Sequence, residues 1–406
     1  MSEARNIPRL RFPGFNDGWG LTTLGDLGKI INGITYNPSQ IQDYGVLVLR
    51  SSNIQNGRLS FEDNVYISIE KFNPIQKNDI LICVRNGSQR LIGKNALINQ
   101  NFDNVGFGAF MTVYRSERNP FLYHWFNTER YYKEVYKNLG ATINSINGSD
   151  LKKFKVPFPS LPEQQKIADF LIAVDKRIEL LEKKKIFLET YKKGVIKKIF
   201  NQEIRFKDDN GNDFPDWEEF KLNQILFEHK EKNAESKFDE VFSVSKLKGV
   251  VNQIEHLGRS YSSETIDHYK LINNWDIVYT KSPTSDFPFG IIKQNVTGRT
   301  GVLSPLYGVF KPLNKWIGKL IAGHFESSVN TYNYLNPLVQ KGAKNTMNIN
   351  NDTFLNGEML SLPISEYEQE KISDFFFSIE NQIEILELLI DSSKNWKKGL
   401  LQKMFV

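Results

Sequence analysis

The chain has 406 residues, 40% of them hydrophobic, 13% aromatic and 24% charged, with a formal net charge of +5. At roughly 100 to 200 residues per domain this gives two or more domains with substantial apolar cores, which excludes wholesale disorder. Cys83 is the only cysteine, so an intramolecular disulfide and a thiolate metal cluster are both excluded, and a reducing cytoplasm is the expected location.

In chain order, residues 44–50, 79–84 and 109–115 are short β-branched or apolar runs between turn residues, which predicts strands. The aromatic-rich stretch 121–138 predicts helix. From residue 163, Ile167, Leu171, Val174, Ile178, Leu181, Lys185, Leu188, Lys192, Val195 and Ile199 alternate steps of four and three, the seam of a left-handed coiled coil. A second variable block follows, with strands predicted at 276–280 and 302–310 and helix at 315–334. A second seam then runs through Ile372, Phe376, Ile379, Ile383, Leu386, Ile390, Ser393, Lys397, Leu400 and Met404. Pro162 and Pro363 punctuate the two helix starts.

The two long helices are copies of one another. Residues 163–170 (Glu-Gln-Gln-Lys-Ile-Ala-Asp-Phe) recur as 368–375 (Glu-Gln-Glu-Lys-Ile-Ser-Asp-Phe) at an offset of 205, with six of eight positions identical. Weaker echoes precede each copy: Arg11-Phe12 and Trp19 recur as Arg205-Phe206 and Trp217, Asn78-Asp79-Ile80 resembles Trp275-Asp276-Ile277, and Gly140-Ala141 with Asn144 resembles Gly342-Ala343 with Asn348. The organisation expected is α+β: two mixed α/β domains, residues 1–156 and 201–362, separated by helical segments 157–200 and 363–406. Residues 163–200 hold ten Lys/Arg and six Asp/Glu, a net of +4, and residues 366–406 hold five Lys and eight acids, a net of −3. A single amphipathic stripe is most simply a helix packed on its own domain. Two complementary copies predict an antiparallel pair about a pseudo-two-fold axis.

Catalytic constellations are missing. Gly87 to Lys94 has five residues between its glycines and Asn95 where a P-loop has Ser or Thr. The acids near Pro215-Asp216 and Glu219 sit too close in sequence for a nuclease metal site, and the five histidines have no metal-ligand spacing. No Gly-x-Ser-x-Gly elbow or Asn-Pro-Pro-aromatic methylation motif is present. No apolar signal segment and no run of about 18 apolar residues occurs either. Catalytic and metal sites are therefore expected to be absent.

Binding chemistry is left. Arg50, Ser51, Ser52 and Asn53, then Arg85, Asn86, Gln89, Arg90 and Lys94, and in the second block Lys246, Lys248, Lys281, Ser282, Thr284 and Arg299, cluster at strand ends. Arginine suits guanine edges, Asn and Gln suit adenine edges, and Lys or Ser suits phosphates, so these are candidate DNA contacts. For any one of them a hydrated loop is the simpler reading.

Gly140-Ala141-Thr142 with Asn144, then Val156-Pro-Phe-Pro-Ser-Leu-Pro-Glu-Gln-Gln-Lys-Ile-Ala168 and a long Lys/Glu-rich helix, all duplicated, resembles the DNA specificity (S) subunit of type I restriction-modification systems. The likeness covers essentially the whole chain; the second copy departs from it at Glu366-Tyr367 and Glu370, where the first has Leu161-Pro162 and Gln165. The resemblance implies two target-recognition domains, each reading half of a bipartite asymmetric site, spaced by an antiparallel coiled coil. It implies no catalysis or cofactor in this chain. Two modification subunits would carry S-adenosylmethionine, and restriction subunits would use ATP and magnesium. The alternatives are a coiled-coil protein scaffold that does not touch DNA and a stand-alone methyltransferase, the latter disfavoured by the missing motifs.

Overall fold

The computed structural model describes residues 7–139, 144–263, 265–341 and 347–405. The chain divides into two compact units, Met1–Glu182 with Leu388–Val406, and Lys183–Glu387. The long helices, Leu161–Phe200 and Glu366–Met404, each contribute to both units.

In the first unit β1 (Gly20–Thr23) leads to β2 (Lys29–Asn32), β3 (Val46–Leu49), β4 (Ile80–Cys83), β5 (Asn95–Leu97), β6 (Val105–Phe107) and β7 (Met111–Arg115). Helices α1 (Asn119–Trp125) and α2 (Glu129–Lys137) follow, and β8 (Lys155–Phe158) enters the first long helix. The main sheet has the order β2-β7-β4-β5 and is antiparallel throughout, with Met111 opposite Cys83 and Thr112 opposite Asn32. All four residues of β4 are buried, so the strand reads as a continuous apolar run instead of alternating. β3 runs parallel to β6 in a second sheet, and β1 pairs antiparallel with β8.

The second unit repeats the plan. Its strands are β9 (Glu218–Phe220), β10 (Leu226–Glu228), β11 (Phe242–Ser245), β12 (Gly249–Asn252), β13 (Ile277–Tyr279), β14 (Ile292–Gln294), β15 (Gly301–Leu303), β16 (Gly308–Pro312) and β17 (Leu360–Leu362), with α3 (Lys315–His324) and α4 (Ser328–Leu335) after β16. The main sheet order β10-β16-β13-β14 is antiparallel and matches β2-β7-β4-β5 strand for strand, while β9 pairs with β17 as β1 does with β8. The expected strand at 302–310 is two strands, broken by a turn at Ser304–Tyr307. Each expected aromatic helix is also two: Thr128 caps α2 by accepting from the Tyr131 amide, and Ser327 caps α4 by accepting from that of Asn330. Pro162 lies inside the first turn of its helix, where a missing N–H costs nothing.

The repeated helix-start motif explains itself at this level. Glu163, 1% exposed, accepts two hydrogen bonds from the Arg11 guanidinium, at 2.6 and 2.7 Å, and Gln164 donates to the Pro159 carbonyl at 2.7 Å. In the second unit Glu368 accepts from Arg205 and from the Trp217 indole (3.1 Å), and Gln369 donates to the Pro363 carbonyl at 2.8 Å. The echoes at Arg11 and Arg205 are thus halves of one clamp, and each carboxylate also sits in the first turn, where the helix dipole favours it.

The seam is covered along its length. Ile167, Leu171, Val174 and Ile178 join the first core together with Leu400 and Met404. Val195, Ile199, Ile372, Phe376 and Ile379 join the second. Leu386 and Ile390 are buried, and Leu181, Leu188 and Ile383 are half-buried. Charged seam positions are filled by ion pairs across the helices: Lys397 with Asp175 and Lys394 with Glu182 in the first unit, Lys185 with Glu387 and Lys192 with Glu380 in the second. Within each unit one number rises as the other falls, so the helices are antiparallel. The stripe packs on its own domain and on its partner helix at once.

Candidate nucleic-acid interface

In the first unit a turn after β3 and the segment after β4 converge. Asn86 donates to the Ser51 hydroxyl at 3.0 Å, and the Lys94 ammonium donates to the Ser51 carbonyl at 3.2 Å. Asn53 is fully buried: it accepts from the Arg50 amide and donates to the Ser60 and Asp63 carbonyls, so it builds the turn and cannot meet a base. Arg50 is tied to Asp63 at 2.7 Å, and the Ser52 hydroxyl and the Arg50 charge hold that carboxyl below its usual range. Outward-facing groups are different. Arg85, Gln89 and Arg90 are exposed, and Arg85 lies over the ring of Phe110, 5.7 Å from its centre, with that ring 57% exposed. This group is a planar guanidinium on an aromatic plate beside two flexible donors, suited to base edges and to stacking.

In the second unit the residue after β11 is Lys246, as Arg50 follows β3. The correspondence is topological: β3 runs parallel to β6, and Val241, preceding β11, forms a parallel bridge with Val302 of β15. Lys246 is likewise tied to an acid, Asp286, and lies 5.9 Å from the centre of the Phe287 ring. Asp286 belongs to the loop carrying Lys281, Ser282 and Thr284, so these candidates share one surface. Lys281 has φ of 57°, and burial pushes its ammonium below the ordinary value, with Lys270 adding to this. A phosphate there would relieve both. Gly290 (φ 108°) backs the loop, and a Cβ on it would stand 2.8 Å from the Lys281 amide. Ser282 is exposed, whereas the Thr284 hydroxyl is buried without a hydrogen-bond partner among the described residues. Lys248 is exposed at the β11–β12 turn.

Arg299 stands apart. Its guanidinium meets Glu255 at 2.9 and 3.0 Å and Glu240 at 2.9 Å, and lies over Phe242, so it anchors the base of the β11–β12 ribbon. Phe110 and Leu247 are not among the sequence-predicted site residues: both are apolar, and their exposure, 57% and 90%, is not legible from their residue types. The Gly140–Thr142 and Gly342–Ala343 motifs lie outside the described residues. Among the described residues no cluster of His, Cys, Asp and Glu could hold a metal, and no helix is long and apolar enough to cross a membrane.

Residues 16–190 match the model of the type I restriction modification DNA specificity domain. The StySPI specificity subunit of Salmonella potsdam is 29% identical over 195 residues, 44% of this chain and 42% of that protein. The EcoKI specificity subunit of Escherichia coli K12 is 28% identical over 206 residues, 47% and 44%. The MjaIX specificity subunit of Methanocaldococcus jannaschii is 26% identical over 304 residues, 66% and 67%. The chain spans less than half the length of the first two relatives it matches. The type I restriction-modification S subunit of M. genitalium superposes with a TM-score of 0.60 at 16% identity, covering 98% of this chain and 99% of that one. A second solved chain, from work on complex assembly and conformational transition of the type I R-M system, gives 0.50 at 15% identity, covering 96% and 98%. At these identities the structural likeness is one of fold. With a specificity-domain model matched over residues 16–190, and specificity subunits among the relatives it resembles, the chain is similar to type I restriction-modification specificity subunits.

Proposed function

We propose that the chain is the sequence-reading component of a type I restriction-modification assembly, with residues 1–156 and 201–362 acting as target-recognition domains on the two halves of a bipartite asymmetric site. The observation that carries this reading is the repeated loop design: in both units a cation after equivalent strands is pinned by an acid, beside a loop with free donors. The chain specifies and does not catalyse. S-adenosylmethionine, ATP and magnesium belong to partner subunits, two for modification and others for restriction, in the cytoplasm. The long helices offer a surface to such partners: Ile172, Leu180, Leu388 and Trp396 in the first unit, and Ile186, Phe187, Tyr191 and Ile385 in the second, are 41–71% exposed on helices whose other faces are buried.

The test is binding of the full chain to random duplex at two salt concentrations, followed by methylome sequencing of a host carrying the system. A steep loss of affinity with salt, from counterion release, and a two-part methylated sequence are expected. A salt-independent, DNA-silent chain that still assembles with its partners would instead make it a scaffold.

A further inference from the structure

We propose that the β11–β12 ribbon enters the major groove of the second half-site and that Leu247, at its tip, reads a thymine C5-methyl group; this rests on the DNA-reading function above and names the chemistry of one contact. Leu247 is 90% exposed, more than any other large apolar side chain among the described residues. It lies between Lys246 and Lys248 in a turn closed by the Ser245–Gly249 pair, with Gly249 at φ 70°. The tip is held in place. The Ser245 hydroxyl accepts from the Lys248 amide at 3.3 Å, and Lys246 is fixed on Asp286 and over Phe287.

Three observations choose the occupant. β11 and β12 form a two-stranded antiparallel ribbon, an element that the major groove of B-DNA, about 12 Å wide, admits. Lys248 has no acidic partner among the described residues, and Lys281 is half-buried beside another lysine in the loop that Lys246 touches, so the surroundings of the tip fit a polyanion. The tip follows β11 as Arg50–Asn53 follows β3 in the first unit, where Ser51 meets Asn86 of the loop carrying Arg85 and Arg90. There the exposed groups donate hydrogen bonds; here the projecting group can only make an apolar contact, and in the major groove the apolar feature of a base pair is the thymine methyl. The two units thus read their half-sites with different chemistry.

The experiment uses the full chain assembled with its modification subunits. Methylated sequences are mapped for wild type, Leu247→Ala and, as a control, Leu313→Ala, whose side chain is 61% exposed elsewhere in the same unit. Duplexes carrying the wild-type sequence are then bound with each thymine replaced singly by deoxyuridine, which removes only the methyl. Wild type and Leu313→Ala should lose about fourfold at one thymine of one half-site, as for one buried methyl-sized group of about 0.8 kcal/mol. Leu247→Ala should bind thymine and uracil alike there and accept other bases at that position, with the other half-site unchanged. Leu247→Ala keeping wild-type discrimination, or wild type indifferent to every replacement, overturns the inference while leaving the DNA-reading function intact. Loss of assembly with modification subunits without a change in base preference would make the tip a protein-docking element and overturns it too. A wild-type assembly that discriminates no sequence at all overturns the function itself.

Discussion

On the proposed reading surface, single side chains divide into those that build the loops, such as Asn53 and Arg299, and those that project from them, such as Arg85 and Arg90. Arg90 is exposed and has no hydrogen-bond or ionic partner among the described residues, so Arg90→Ala should cost roughly 1–3 kcal/mol on the matched duplex and relax one position, measured against single-mismatch duplexes. Arg299→Ala removes a guanidinium already spent on Glu240 and Glu255, and should lower the stability of the second unit without altering base preference at any one position. Buried histidines set a pH limit. His324 packs edge-on to Phe200, and burial pushes its imidazole down to about 4. In the unfolded chain it takes a proton below about pH 6.5, whereas in the folded chain it stays neutral until about 4. The unfolded state therefore binds more protons in that window, and stability falls as pH drops through it. His124 acts in the same direction. His229, raised by its hydrogen bond to Asp276, acts in the opposite one, stabilising below about 6.5 and losing that contribution as pH rises through its raised value. His324→Phe should flatten the acid-side decline of the second unit, seen as a smaller difference in urea midpoint between pH 7 and pH 5 than in wild type.

At the scale of elements, the long helices were the most legible part of the sequence, because a heptad seam needs only periodicity and both copies carry it. Their ion pairs obey the repeat: adding the offset of 205 to Asp175 gives Glu380, and adding it to Lys192 gives Lys397, so the two cross-helix pairs are one pair written twice with the partners exchanged. Burial alone would raise the Glu380 carboxyl, but Lys319 and Lys192 overcome it and hold it below its ordinary value. Lys192 also meets Glu326 at 2.8 Å and is largely enclosed, so Lys192→Met should destabilise the second unit by about 2 kcal/mol or more, as for an enclosed pair broken on one side. Lys153→Ala, which breaks an exposed pair with Asp150, should cost less than about 0.5 kcal/mol. Denaturation of the two variants beside wild type checks the contrast. The loops were less legible. Candidate residues could be placed at strand ends, but whether Asn53 or Arg299 faces DNA or the interior depends on partners such as Ser60, Asp63 and Glu255, which lie too far off for local spacing to show. The Glu-Gln-x-Lys-Ile repeat stands out in the sequence by its duplication alone, while its physical task, clamping Arg11 or Arg205, depends on partners more than 150 residues away.

Across the whole molecule, the first unit is finished by helix from the far end of the chain, whereas the second is one continuous segment, and on the proposed function this would couple the stability of one unit to the specificity of one half-site. Leu400, Leu401, Met404 and Phe405 belong to the first core, and Phe405 packs against Phe121 at 5.4 Å and Trp19 at 6.1 Å. The second core contains none of them. Phe405→Ala therefore opens a cavity in the first unit alone, at a cost of about 3–5 kcal/mol if the aromatic site does not collapse. Hydrogen exchange should show faster opening of β4 and β7 amides with β13 and β16 unchanged. If the two units read separate half-sites, the variant should tolerate mismatches in one half of the methylated sequence and discriminate as wild type in the other, although Phe405 packs on Phe121 and Trp19 in the core. Equal relaxation of both halves would mean that the units do not read DNA independently, and exchange protection lost throughout would mean that they do not fold independently.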